Sequence, residues 1–222
     1  MLHKVNTDNR QVQRTRGWLL EALLILLDEK PYEKIGISDI TKKAGVARQT
    51  FYRNYDTKDD IVIQYLDDIF TAHLIRIKNI SNHDKTNKVI ATLRFEQIIE
   101  HKENLKKLFK DETEHLFYSY FKKWEDIISD LYKNKLTKKD YLSFRYMVKF
   151  QLGGSLRVVI DWFQHDMPLH PAKMAELVAD FLKPFEIRNT SIPKLLVVIT
   201  QDEKIVTLKS GKNTKGKGRR HE

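Results

Sequence analysis

Ser38-Asp-Ile-Thr-Lys-Lys-Ala-Gly-Val-Ala-Arg-Gln-Thr-Phe-Tyr-Arg-Asn-Tyr55 is the stretch on which the reading of this chain turns. It contains two short helical segments around a single glycine, Gly45, where a turn has no room for a Cβ. Ile40, Ala44, Val46 and Phe51 fall where the segments must pack on each other, and Ala44 is small enough to let them approach closely. Ser38 stands where an N-cap belongs, with Asp39 favouring the positive end of the first segment. The second segment sends Phe51 inward and leaves Arg48, Gln49, Tyr52 and Arg53 outward. Packing explains the apolar positions. It does not explain an exposed face of donors and one aromatic ring, on a helix sized for the major groove of double-stranded DNA.

Working outward, residues 10–29 carry Trp18, Leu19, Ala22, Leu23, Leu26 and Leu27 at helical spacing, and Pro31 ends that helix. Downstream, Thr57 and Asp60 approximate a capping box before a long amphipathic helix through Ile61, Val62, Tyr65, Leu66, Ile69 and Phe70 to about residue 79. Polar residues 81–88 read as a loop. Helices follow at about 89–102, 105–110, 113–133, 138–165 and 171–183, with Pro168 and Pro184 beyond the last two. Residues 194–208 alternate apolar and polar clusters, which predicts a small β-hairpin. The expected fold is therefore all-α. A helix-turn-helix unit in residues 1–58 leads by a long helix into a helical ligand-binding and dimerisation unit in residues 59–185, and 186–222 form a basic, partly disordered extension.

Charge is distributed to match. The chain has 222 residues and a net charge of +10. Residues 1–58 hold 11 basic and 7 acidic side chains, residues 59–185 hold 20 and 19, and residues 186–222 hold 9 and 4. The excess sits at the two ends, as expected if nucleic acid meets the ends and a neutral middle meets a ligand or partner. The tail reads equally as a solubilising segment or as a phosphate-contacting one.

Other chemistries find little footing. There are no cysteines, so thiolate metal sites and cysteine nucleophiles are excluded, and the eight histidines include no pair at ligand spacing, so neither metal nor cofactor is expected. No Gly-rich phosphate loop or nucleophile elbow occurs, and an enzyme is not expected. No apolar run is long enough for a membrane span and residues 1–16 are polar, which predicts a cytoplasmic protein without membrane contact.

The residues quoted above resemble the DNA-binding region of the TetR family. The resemblance covers about the first quarter of the chain and rests on Ile40-Thr-Lys-Lys-Ala-Gly-Val46, Thr50-Phe-Tyr52 and Asp56-Thr-Lys-Asp-Asp60. It implies a homodimer in which a small-molecule effector, bound by the helical domain, changes the spacing of two DNA-reading heads. By motif position it implies that Arg48 and Gln49 reach base edges, that Thr50 and Tyr52 contact the backbone or a nearby base, and that Ser38 and Lys58 meet phosphates, with Arg53 on the same face. A weaker likeness, Phe150-Gln-Leu-Gly-Gly-Ser-Leu156 with Asp161-Trp-Phe163, is to the penultimate helix of some members, whose last two helices commonly build a four-helix dimer interface. Here that assigns Gly153, Gly154, Leu156 and Trp162 to the interface. Mid-helix Gly153 and Gly154 each cost about 0.5–1 kcal/mol relative to Ala, so a close helix crossing is expected there, either between subunits or within one. The alternative for the middle domain is a docking surface for a partner protein. A filled interior would favour it.

Overall fold

The computed structural model describes residues 3–81, 86–109 and 113–186. Its helices are α1 (His3–Glu29), α2 (Ile37–Lys43), α3 (Arg48–Asn54), α4 (Asp59–Lys78), α5 (Asn87–Glu100), α6 (Lys102–Leu108), α7 (Glu114–Tyr132), α8 (Lys138–Gln164) and α9 (Pro171–Glu186), with a 3-10 turn at Tyr32–Lys34. The fold is all-α, and no strand occurs among the described residues. The proposed hairpin and the basic tail lie outside them.

The N-terminal unit forms because α1 lays Leu19, Ala22, Leu23, Leu26 and Leu27, all buried, over α2 and α3. Trp18 departs from the expected apolar face. One residue of helix turns it about 100° from Leu19, and it lies exposed beneath the Arg14 guanidinium, 5.4 Å from the ring centre. Ser38 is not the cap of α2. Gly36 holds that place, because the Asp39 carboxylate reaches back to accept its N–H at 2.9 Å and the helix starts one residue before Ser38. At the head of α4 the Asp60 carboxylate accepts from the Thr57 N–H at 2.8 Å and from its hydroxyl at 3.1 Å.

In the second unit α5 packs along α9 and α7 along α8, while α4 touches both α5 and α7. α9 runs two residues past Pro184, because a proline forfeits its own N–H bond but holds a helical φ. Two links couple the units: α4 continues from the reading head into the second core, and α1 packs on α6, where the Lys107 ammonium pairs with Asp28 at 2.5 Å.

Candidate nucleic-acid interface and ligand cavity

The turn between α2 and α3 is set by Gly45 at φ +66°, a left-handed conformation that L side chains rarely adopt. It lets the Val46 N–H return to the Thr41 carbonyl at 3.0 Å and aims α3 across α2. Ile40 and Phe51 are fully buried at this crossing. With Phe51 fixed inward, helical geometry presents Arg48, Gln49, Tyr52 and Arg53 to solvent, and all four are exposed. Arg48 Nη2 donates to the Tyr52 hydroxyl at 3.1 Å, and its guanidinium lies 5.7 Å from that ring's centre. Tyr52 in turn meets Phe51 edge-on at 5.5 Å. Thr50 is half-buried on the flank, and Ser38 is exposed on α2.

Lys58 is placed differently from the expectation of a phosphate contact. Its ammonium lies 4.2 Å from the centre of the Tyr32 ring and donates to the carbonyls of Tyr32 at 2.6 Å and Ile35 at 3.0 Å. The physical reason is local: the Tyr32 carbonyl accepts the Ile35 N–H at 3.1 Å but keeps a second lone pair, and Lys58 donates to it and to the Ile35 carbonyl at the end of the 3-10 turn. Tyr32 donates onward to Asp59 Oδ1 at 2.5 Å, and burial followed by the Asp59 hydrogen bond drives its hydroxyl pKa well above the ordinary value.

The helices α8 and α9 leave an apolar face uncovered. Leu142, Tyr146 and Phe150, four residues apart on α8, are exposed, the last two by 66% and 67%, and Leu177 and Phe181 on α9 are exposed as well. Gly153 and Gly154 continue this face. A Cβ added at either would meet nothing within 4 Å, so no crossing among the described residues requires them. Leu156 and Trp162 do not belong to this face: each is 3% exposed, because a 27-residue helix packed on one side turns them inward. Trp162 meets Phe95 edge-on at 5.3 Å and donates to the Leu169 carbonyl at 2.9 Å.

Within the second unit lies a cavity of about 160 Å³, walled by α4, α5, α6, α7, α8 and α9. One water needs only ~10–15 Å³, so this is a chamber and not a packing defect. Its walls are mainly apolar, including Leu66, Phe70, Phe117 and Leu156, with Arg94, His73 and Gln97 among them. Sequence reasoning named no cavity residue. A signal existed, since Arg94 stands in the stripe Ile90, Ala91, Arg94, Ile98 that α5 turns inward. No cluster of metal-ligating side chains occurs among the described residues.

A helix-turn-helix whose second helix bears an unpacked cationic face, joined to a helical body with an internal chamber, defines a class: DNA-binding regulators with a C-terminal regulatory domain. Comparison gives the family. Residues 19–65 match the family described as "Bacterial regulatory proteins, tetR family", and residues 85–184 match "Transcriptional regulator C-terminal region". The chain belongs to the TetR family of transcriptional regulators.

It is 46% identical over 55 residues to the uncharacterized HTH-type transcriptional regulator YxbF of Bacillus subtilis (strain 168), a match over 24% of this chain and 14% of that one. To YvdT of the same organism, also an uncharacterized HTH-type transcriptional regulator, it is 37% identical over 60 residues, or 27% and 31% of the two chains. It thus matches less than a third of either relative's length. Among solved structures, the fatty acid degradation regulator FadR from Bacillus halodurans superposes with a TM-score of 0.52 at 18% identity over 76% of this chain and 94% of that one, a likeness of fold.

Proposed function

We propose that this protein is a ligand-responsive repressor that binds a palindromic double-stranded DNA operator as a homodimer in the cytoplasm. The reading head is residues 1–58 and the regulatory body residues 59–185. One observation carries the proposal: Arg48, Gln49, Tyr52 and Arg53 lie side by side on the solvent face of α3, all four exposed. Arg48 and Gln49 are the base-reading candidates, Thr50, Tyr52 and Arg53 support them, and Ser38 offers a phosphate contact from α2. Lys58 is left to its structural task.

The homodimer reading is supported by the bare apolar face of α8 and α9. Tyr146, Phe150, Leu177 and Phe181 form a patch of the kind that monomeric proteins avoid, and the glycines beside it leave room for a partner helix. The chamber supports a small-molecule effector in the body over a partner protein docked on it.

The test is selection from randomised duplex oligonucleotides. The protein should enrich a site with two related half-sites, and the Arg48→Ala, Tyr52→Ala variant should enrich none while keeping its circular dichroism and its mass in solution. A wild-type protein that shows no preference for any duplex, with or without cell extract metabolites, removes the proposal.

A further inference from the structure

Arg94 is the one fixed charge among the residues that line the chamber, where Asn87, Gln151 and Ser155 are polar as well as His73 and Gln97. Arg94 on α5 lines it, and no hydrogen bond or ion pair from its guanidinium occurs among the described residues. Two carboxylates on the same helices are engaged elsewhere, since Glu100 takes both 2.7 Å bonds from Arg76 and Asp67 accepts from the Tyr120 hydroxyl at 3.2 Å, and Glu96 is exposed to solvent. His73, on the facing side of α4, is 4% exposed and neither ring nitrogen has a partner. Gln97, one turn beyond Arg94, gives its amide nitrogen to His101 at 3.2 Å and leaves its oxygen buried and unpaired.

A guanidinium cannot shed its proton to escape burial, so a cation without a partner in an apolar wall is an incomplete arrangement. Burial alone pulls the Arg94 pKa below its ordinary value, and burial with the nearby arginine charges lowers His73 to about 3, leaving a neutral ring that offers one donor and one acceptor. A metal cation is repelled by the neighbouring arginine. A small inorganic anion would satisfy Arg94 but leave the apolar remainder, with Phe70, Phe117 and Leu156, unfilled.

We propose that the chamber receives an organic anion with an apolar body, its acidic group held bidentately by Arg94 and hydrogen-bonded by His73, with the body lying along the apolar walls. This rests on the reading of the chamber as an effector site. Arg is the side chain suited to the task, because its planar fork matches both carboxylate and phosphate. The Gln97 oxygen, an acceptor, suits a hydroxyl or amide N–H on the ligand next to its acidic group.

Trp124 reports on the chamber, since its ring lies 4.6 Å from that of Phe70 in the wall. Decanoate, decyl phosphate and decanol are each titrated into the full chain, wild type and Arg94→Met, and the fluorescence change is read. At least one of the two anions should bind the wild type tenfold or more tighter than decanol, and which one does so identifies the acidic group. Arg94→Met should lose that preference while still binding decanol, and without ligand it should melt at a higher temperature than the wild type, because a half-buried cation with no protein partner has been removed from an apolar wall.

Equal binding of decanol and the anions, binding of none of the three, or an anion preference that survives Arg94→Met would each overturn the inference. A protein that selects an operator yet fails this titration remains a regulator with a different ligand; one that selects no operator fails at the earlier step.

Discussion

Arg48 and Tyr52 show how a single turn of helix prepares a reading surface. The Arg48–Tyr52 hydrogen bond and the edge-on contact of Tyr52 with buried Phe51 hold both side chains in one arrangement before any DNA arrives. Binding then loses less rotamer freedom. Arg48→Ala should cost about 1–3 kcal/mol for each base pair it reads. Tyr52→Phe keeps the ring but removes the acceptor, and should cost only about 0.5–1.5 kcal/mol, the worth of one hydrogen bond. Fluorescence anisotropy on the selected operator measures both, and a Tyr52→Phe loss equal to that of Arg48→Ala would show that the hydroxyl touches DNA directly.

His73 makes a second residue-scale prediction. Its folded-state pKa of about 3 lies below the ordinary 6.5, so between those values the unfolded chain takes up a proton that the folded one refuses. Stability must therefore fall as pH drops through that window. From pH 7 to pH 5 the loss is about 2 kcal/mol, with His101, also lowered mainly by burial, acting in the same direction. Urea denaturation at the two pH values tests this, and a His73→Leu variant that keeps the full wild-type pH dependence would contradict it.

At the scale of elements, the test of the α8 and α9 face lies in its glycines. Nothing among the described residues lies within 4 Å of a Cβ at Gly154, so in an isolated subunit Gly154→Ala should stabilise the helix, by about 0.5–1 kcal/mol. If a partner helix crosses there, the added methyl meets its backbone and the dimer weakens. The expected result is both at once: a more stable subunit in dilute solution and a higher dimer dissociation constant by sedimentation. Phe150→Glu with Phe181→Glu should give monomers with unchanged helicity. A double variant that stays dimeric places the interface elsewhere.

The same elements show what was legible in the sequence. The turn at Gly45 and the outward set on α3 followed from residue spacing, because both depend on contacts within a few residues. For Leu156 and Trp162, period alone marks an apolar helix face without saying what covers it, and in the fold the subunit's own core does. The carbonyls that Lys58 meets, those of Tyr32 and Ile35, lie more than 20 residues away, so the spacing of the motif around Lys58 does not show them. Arg94 is silent in the sequence for the same reason: a charged residue in an apolar stripe gains meaning only when the facing helices show that no carboxylate meets it.

For the whole molecule, function requires that a ligand in the chamber be felt at α3. The geometry supplies a short route. α4 follows α3 after a link of four residues, packs on α1, and then lines the chamber with Leu66, Phe70 and His73. A group entering between α4 and α5 must move one of them, because close-packed interiors shift as units. α1 is held to α6 by packing and by the Lys107–Asp28 pair, so movement of α4 changes the angle of the head against a second fixed point. In a two-fold dimer that angle appears twice and alters the distance between the two reading helices, which a duplex with fixed half-site spacing accepts or rejects.

The absence of cysteine makes this directly measurable. Lys42→Cys, exposed at the end of α2, gives one spin label per subunit with no background reaction. The inter-label distance should be single and short-ranged on operator DNA. It should shift or broaden when decanoate or decyl phosphate is added at concentrations that saturate the fluorescence change. A ligand that saturates the chamber while the distance distribution and the operator affinity both stay fixed would break the link between chamber and head, and the effector would then have to act by another route.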